Sequence, residues 1–506
     1  MNLKLKNCSL KTNGYKKNAK SLYVKELKWK AILPTKVVKY LLFKIEEIKP
    51  FRGFRLEIAI YFLSLITSVP ARKKNGFYFR GFVPLCSKIL EKIKYNYKKY
   101  FDYFVVIGLL EKLNYNTDRG RANSYRYNYK NLKIEGLEHL NFESFDYSKL
   151  LSKSLTYHPF DEESQTSCAH LLEWMDHGLS LNLEIFLKDF SENFSINIFN
   201  DDRDNHQKII AAKNFYYKGL DFYLQNWRAK RDPDADNRLH TNLTNLDKEI
   251  RNYVRYQGET IKSLDIKNSQ PYFLILFIEY VLKQARDNEY KNVYLDSICR
   301  KIYGNKCTMF EKLMQYTDNE YFMTEFCLLK NAVLAGKYYE FLGDTFDNIF
   351  PISIDENGVE IYEGQFYDKA IGKMRTLRFE GKRNLMKKVS MQLLYTPLTK
   401  PSQYYVTFKE KFPSVCGFIE ILKTTSEDKN SFKKFPKLLQ HFESDCVLDF
   451  VTKKIAAKYP EMPLFTIHDS IATQWFWFEI LRDEVQSLLQ EYSCGMPPIL
   501  ESETWG

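Results

Sequence analysis

The sequence predicts a helix-rich α+β protein. Two observations carry that reading. Apolar residues recur at helical spacing along most of the 506 residues. Strand signals are few and short, and each lies beside a turn: Asp118-Arg119-Gly120, Glu356-Asn357-Gly358 and His468-Asp469-Ser470. Hydrophobic residues make up 44% of the chain, which excludes a disordered protein and leaves room for a sizeable core divided among about two to four domains.

In chain order, residues 1–54 are a Lys-rich, basic N-terminal segment with helical periodicity over 36–48. Residues 55–135 form a unit. An apolar helix over 56–67 is ended by Val69-Pro70. Two more helices are predicted over 83–92 and 95–107, and Gly108 suits the C-cap of the second. Stretches 109–116 and 124–129 then alternate as strands. Three helices followed by a basic-tipped hairpin are the outline of a winged helix, in which the helix before the hairpin enters a DNA groove. Tyr97, Lys98, Lys99, Arg119, Arg121 and Arg126 are the DNA-contact candidates.

Residues 136–232 are mixed and mostly helical, clearest over 171–175 and 209–227. Cys168, His170 and His177 lie close together, but their spacing fits no common zinc pattern. From 233 the order is a polar loop containing Arg238, a strand over 260–266, a buried helix over 272–284, further helices to 342, and a hairpin turn at Asn357-Gly358. A basic helix over 382–395 follows, then an amphipathic helix over 442–458. Strands over 463–467 and 471–475 flank His468-Asp469-Ser470. A last helix over 478–492 and an edge strand over 498–501 end the sequence.

A net charge of +12 suggests a polyanionic partner. The 36 Tyr and 38 Phe, interleaved with Lys and Arg, suit nucleic acid, because rings stack on bases while cations hold phosphates. A skewed nucleotide composition of the coding gene would inflate the same residues. Nine cysteines with no CxxC pair point to free thiols in a reducing compartment. No apolar stretch reaches the roughly 18 residues of a membrane span. The expectation is a cytoplasmic, monomeric protein with no membrane partner.

On the 382–395 helix, Arg383, Lys387, Met391 and Tyr395 recur at every fourth position and so share one face. Arginine as a fork and lysine as a point charge can hold a polyphosphate, and the thioether and ring can pack on a sugar and base. Two aspartates stand out by setting: Asp265 near the end of a strand, and Asp469 within an apolar hairpin. A charge there is costly unless neutralised. Carboxylates from two strands brought together make a natural site for Mg2+, or Mn2+, which takes a few carboxylates plus substrate phosphates.

The order of these pieces resembles the polymerase core of family A DNA polymerases and single-subunit phage-type RNA polymerases. Ser263-Leu-Asp265-Ile-Lys-Asn-Ser-Gln270 resembles motif A, Arg383-x3-Lys387-x3-Met391-x3-Tyr395 motif B, and Phe465-Thr-Ile-His468-Asp469-Ser470 motif C. Asn237-Arg238-Leu-His-Thr-Asn-Leu-Thr-Asn-Leu246 resembles the family's upstream Gly-Arg-Leu segment, and residues 498–505 its last palm strand. The resemblance covers about residues 233–506. It implies a right hand with an antiparallel β palm and helical fingers over 233–506 and a helical thumb over 136–232, preceded by the winged-helix-like module over 55–135 read from its own helix and hairpin pattern. It implies that Asp265 and Asp469 bind two Mg2+ ions, that His468 braces the primer terminus, that Arg383 and Lys387 hold the triphosphate, that Met391, Tyr395 and Gln270 read the sugar and base, and that Arg238 contacts nucleic acid or triphosphate. The implied partners are a DNA template and primer and nucleoside triphosphates.

The departures bear on the sugar. Gln270 stands where the DNA polymerases have a glutamate that helps exclude ribonucleotides. Ser470 stands where they have another glutamate, and it and Met391 match the RNA polymerases. Thr396-Pro397 replaces a glycine after motif B. The resulting expectation is a nucleotidyltransferase, a DNA polymerase of a phage or mobile element. An RNA polymerase or primase and a non-catalytic replication initiator or regulator are the alternatives.

Overall fold

A computed structural model describes residues 30–72, 81–114, 122–133, 142–146, 160–193, 205–287, 293–304, 307–317, 319–347, 349–368, 373–399, 401–424 and 431–506. Within them the protein is helix-rich α+β, and every sheet pairing is antiparallel apart from an isolated bridge between Phe160 and Ala229. No described helix is long and apolar enough to cross a membrane. The expected turn at Thr117–Gly120, with Arg119 and Arg121, lies outside the described residues.

The N-terminal half is built around the helix Leu56–Ala71, whose side chains are buried nearly all round. Packing on every face keeps this helix going past Val69 and through Pro70, one turn beyond its expected end. The expected helix over 83–92 is instead the short strand Val83–Pro84 followed by Ser87–Ile93, because proline holds the residue before it extended. The helix Tyr97–Val106 and the strands Leu110–Leu113 and Ser124–Tyr127 complete the unit. Ser124–Tyr127 lies in the middle of the three-stranded sheet, between Val83–Pro84 and Leu110–Leu113. The core of this half also takes in Val37, Val38 and Leu41 from the helix Thr35–Glu47, so it starts well before residue 55.

The remaining core runs continuously from Cys168 to Trp505. It crosses the expected boundary between 232 and 233 without a break, because Leu179–Leu181 joins the main sheet through Val254–Tyr256. In that sheet the strand Glu259–Ile266 is central. It pairs with Ser470–Gln474 on one side and Leu500–Trp505 on the other. The segment expected as an edge strand is therefore a full partner of the central one. The hairpin into the central strand turns at Gln257 (φ 52°) and Gly258 (φ 84°), a pair of positive angles of which only the second falls on a glycine, which meets it without strain. A second sheet, Ile352–Ile354, Glu360–Asp368 and Lys373–Glu380, leads into the helix Lys382–Tyr395.

The two halves meet at the strand pair Lys30–Pro34 and Phe142–Asp146 and along the helix Asn205–Tyr223, around Ile32, Ala71 and Tyr217. Asn226, 1% exposed, stitches the junction. Its Oδ1 accepts from the Lys30 N–H at 2.8 Å, and its Nδ2 donates to the Lys30 carbonyl at 2.7 Å and to Asp221 at 2.8 Å. Asn226→Ala strands these buried groups and should lower stability by about 2–3 kcal/mol, measured by urea denaturation.

Candidate active site

The strand pairing fixes the site. Asp265 lies directly across from Ser470 on one neighbour and from Glu501 on the other. The Asp469 carbonyl accepts from the Ile266 N–H at 3.2 Å, so the turn that carries Asp469 lies beside the end of the strand that carries Asp265. His468 takes the tight turn between Phe465–Ile467 and Ser470–Gln474 at φ 57°, a strained angle for a non-glycine residue, of the kind that recurs at functional sites.

The charges here are not balanced among themselves. Asp469 is held well above the usual carboxylate range, first by burial, then by Glu443 and Asp265. Asp265 is also raised by burial, with a hydrogen bond from Ser470 working the other way and Glu503 and Glu501 adding to the rise. Arg251 lies beside these groups. His468 is pushed down to about 4, by burial first and then by Arg238 and His240, and is neutral at physiological pH. Among the described residues its buried Nδ1 has no hydrogen-bond partner, nor does the buried Arg238 Nε. Asp265 and Asp469, near enough for the first to raise the second, are the residues that could hold a divalent cation, and among the described residues no group of three or more acidic, imidazole or thiol side chains forms a ready-made cage. The residues fit an ion that completes its shell with substrate oxygens.

On the helix Lys382–Tyr395, Leu385, Met386, Val389, Ser390, Leu393 and Leu394 face the core. Lys387 and Met391 are exposed. Arg383 is not free: it pairs with Glu340 at 2.6 Å and lies over the Tyr339 ring, 5.1 Å from its centre. Tyr339 in turn feels both Arg383 and Asp469, which puts this end of the helix near Asp469. At the other end Thr396-Pro397 stops the helix, and the buried Lys423 amine donates to the carbonyls of Leu393 at 3.0 Å and Thr396 at 3.1 Å. The Tyr395 hydroxyl donates to Gln270 Oε1 at 2.9 Å. Arg238 pairs with Glu443 at 2.7 Å.

The structure thus brings together Asp265, Asp469, His468, Gln270, Tyr395 and Arg238, with Arg383 beside them. Sequence reasoning missed Glu443, Glu340, Tyr339 and Glu501. Glu443 had a readable signal, a charge on the buried face marked by Leu439, Phe442 and Cys446. Of the DNA-contact candidates, Lys98 and Lys99 are exposed. Tyr97 is corrected: its ring is 4% exposed and packs on Phe101 in the core, at helical spacing. Arg126 is also corrected, since it is tied to Glu111 across the hairpin at 2.6 Å and lies over Phe82. Cys168, His170 and His177 each have separate partners, in Arg231, Thr452 and Gln225.

No family model matches the chain, and no curated protein matches it. Among solved structures it is similar to the POL domain of Pol1 from M. smegmatis in complex with DNA primer-template and dNTP, at 10% identity and a TM-score of 0.38, over 66% of this chain and 68% of that one.

His170, His441 and His468 are each pushed down to about 4, by burial first. The folded state keeps them neutral, while an unfolded chain takes up protons near pH 6.5. Stability is therefore full above about pH 6.5 and falls as the pH drops towards 4. At pH 5 each histidine should cost about 2 kcal/mol in urea unfolding relative to pH 7, and His468→Gln should remove one such share.

Proposed function

We propose that the protein is a template-directed nucleotidyltransferase that extends a primer 3′ end, with DNA synthesis as the favoured activity. The observation that carries this is the meeting of residues from four distant stretches: Asp265 on the central strand, Asp469 in the turn before its neighbour, Tyr395 of the basic helix bonded to Gln270, and Arg238 beside them. Arg251 offsets Asp265 and Arg238 offsets Asp469 only in part, since both carboxyls stay raised, and this leaves room for a further cation.

Asp265 and Asp469 would hold Mg2+, which when bound activates the attacking hydroxyl and stabilises the leaving oxygen. The chain's own residues do the rest. Lys387, exposed on the basic helix and without an ion pair among the described residues, attracts the triphosphate. Arg383 shares its guanidinium between Glu340 and a phosphate. Tyr395 and Gln270 form one wall against the sugar. Neutral His468 offers an unpaired ring nitrogen beside the primer end. The work is positioning and electrostatics.

We read the N-terminal unit as a winged-helix-like DNA-binding module. What supports this is its sheet order, with the hairpin's second strand in the middle, and the exposed Lys98 and Lys99 on the helix before the hairpin.

Primer extension with Mg2+, offering deoxynucleotides and ribonucleotides separately, tests the enzyme. Asp265→Ala and Asp469→Ala should each lower kcat by at least about 1,000-fold. Lys387→Ala should mainly raise the nucleotide KM. Activity that survives both aspartate substitutions sinks the assignment, and a preference for ribonucleotides overturns the choice of sugar. For the module, Lys98→Ala with Lys99→Ala should weaken duplex binding at all sequences and flatten its salt dependence by about two units of slope. Arg126→Ala should leave that slope unchanged.

A further inference from the structure

Gln270 and Glu443 make an amide–carboxylate contact close to Asp469. We infer that Glu443 is a positioning residue that fixes Gln270 as a neutral gate against the sugar of the incoming nucleotide. This inference rests on the polymerase reading above.

Glu443 is 1% exposed, in the last turn of the helix Lys434–Ser444. A carboxylate buried so deeply must be met by donors. It has them from separate parts of the chain. Ser269 Oγ at 2.7 Å and Gln270 Nε2 at 2.6 Å both donate to its Oε2, and the Arg238 guanidinium lies 2.7 Å from its Oε1. An ionised carboxylate only accepts, so the Gln270 amide has to turn its NH2 group towards Glu443. Its carbonyl then points the other way, where it accepts from the Tyr395 hydroxyl at 2.9 Å. The sequence of donors runs in one direction, from Tyr395 through Gln270 to Glu443. It ties the last turn of the basic helix to the segment that follows Asp265.

Two consequences follow from the donor pattern. Both ends of the Gln270 side chain are held, so the gate keeps one position instead of sampling rotamers. The negative charge also sits behind the gate and not on it. A glutamate at position 270 could still accept from Tyr395, but its other oxygen would face Glu443 with no hydrogen between them. One of the two would have to take up a proton or move away. The pair therefore tolerates one amide and one carboxylate. Exchanging them restores the contact at position 270, because a glutamine at 443 can place its NH2 where Oε2 stands and donate to a glutamate at 270 and to the Ser269 hydroxyl, which can turn from donor to acceptor, while its carbonyl faces Arg238.

The experiment is a swap series read by single-nucleotide primer extension and by thermal melting. Gln270→Glu alone should melt lower than wild type and lose at least about tenfold in kcat/KM for the preferred nucleotide. Gln270→Glu combined with Glu443→Gln should return to within about threefold of wild type and to its melting temperature. Glu443→Ala, which frees the gate, should reduce the ratio of kcat/KM between the two sugars by about tenfold, more than it reduces kcat for the preferred one. The inference is overturned if the double variant is no better than Gln270→Glu in both readouts, or if Glu443→Ala folds and still discriminates like wild type. Should Glu443→Ala not fold, the swap series decides alone. Wild-type protein that extends no primer overturns the polymerase reading instead, and the inference with it, whatever the melting data show.

Discussion

The pairing of Glu259–Ile266 on both of its edges is the constraint on which the site depends. A strand's side chains alternate, so a slip of one residue would send Asp265 to the opposite face. Trp505 guards against that slip. Its fully buried indole donates to the Ser263 hydroxyl at 3.2 Å, two residues before the aspartate on the same face. The last strand of the fold therefore sets the position of a carboxylate some 240 residues earlier in the chain. The other neighbour does the same for Asp469, which arrives at the cleft only because Ser470 is registered against Asp265.

Around this frame the protein has spent its cations unevenly. Glu443 has Arg238, Glu503 has Lys248, and Asp449 has Arg231 and Lys453. Asp265 has only the influence of Arg251 and Asp469 only that of Arg238, and among the described residues neither aspartate forms an ion pair. Helix geometry helps to sort these groups. After Ser444 the helix widens into a π-helical stretch, Asp445–Val451, before resuming as Thr452–Lys458. The wider turn changes the phase of the side chains, so Glu443 looks into the cleft while Asp449 meets Arg231 behind it. Such widenings recur at functional sites.

Much of the site was legible because its residues break local rules. Asp265 and Asp469 are charges inside strand signals, and the ladder from Arg383 to Tyr395 puts polar groups on a helix that Pro397 ends. The groups that were missed lie in stretches read with other bounds or left unread. Glu443 is a charge on a buried face, but its helix was read as starting at 442, so Leu438 and Leu439 were not counted with it. Tyr97 was misread because rings between lysines suit nucleic acid and core alike. Its spacing to Tyr100, Phe101 and Phe104 was the better guide. Arg126 needed the hairpin register, which sets it opposite Glu111. In the fold, Pro84 and Pro70 pulled in opposite directions. One imposed its local preference on a short segment, and the other yielded to a helix packed on all sides.

The amine of Lys423 at the end of the basic helix has a mechanical meaning. Helices that stop at a left-handed glycine carry a swivel there, since the turn can rotate without breaking other bonds. This one is fastened by a residue from the end of the helix Pro413–Lys423, and at its other end Arg383 is clamped to the helix Tyr338–Thr345. Any swing of this helix must therefore break the Lys423 bonds or carry the helix Pro413–Lys423 with it, and it must also part Tyr395 from Gln270, which ties its last turn to the segment after Asp265.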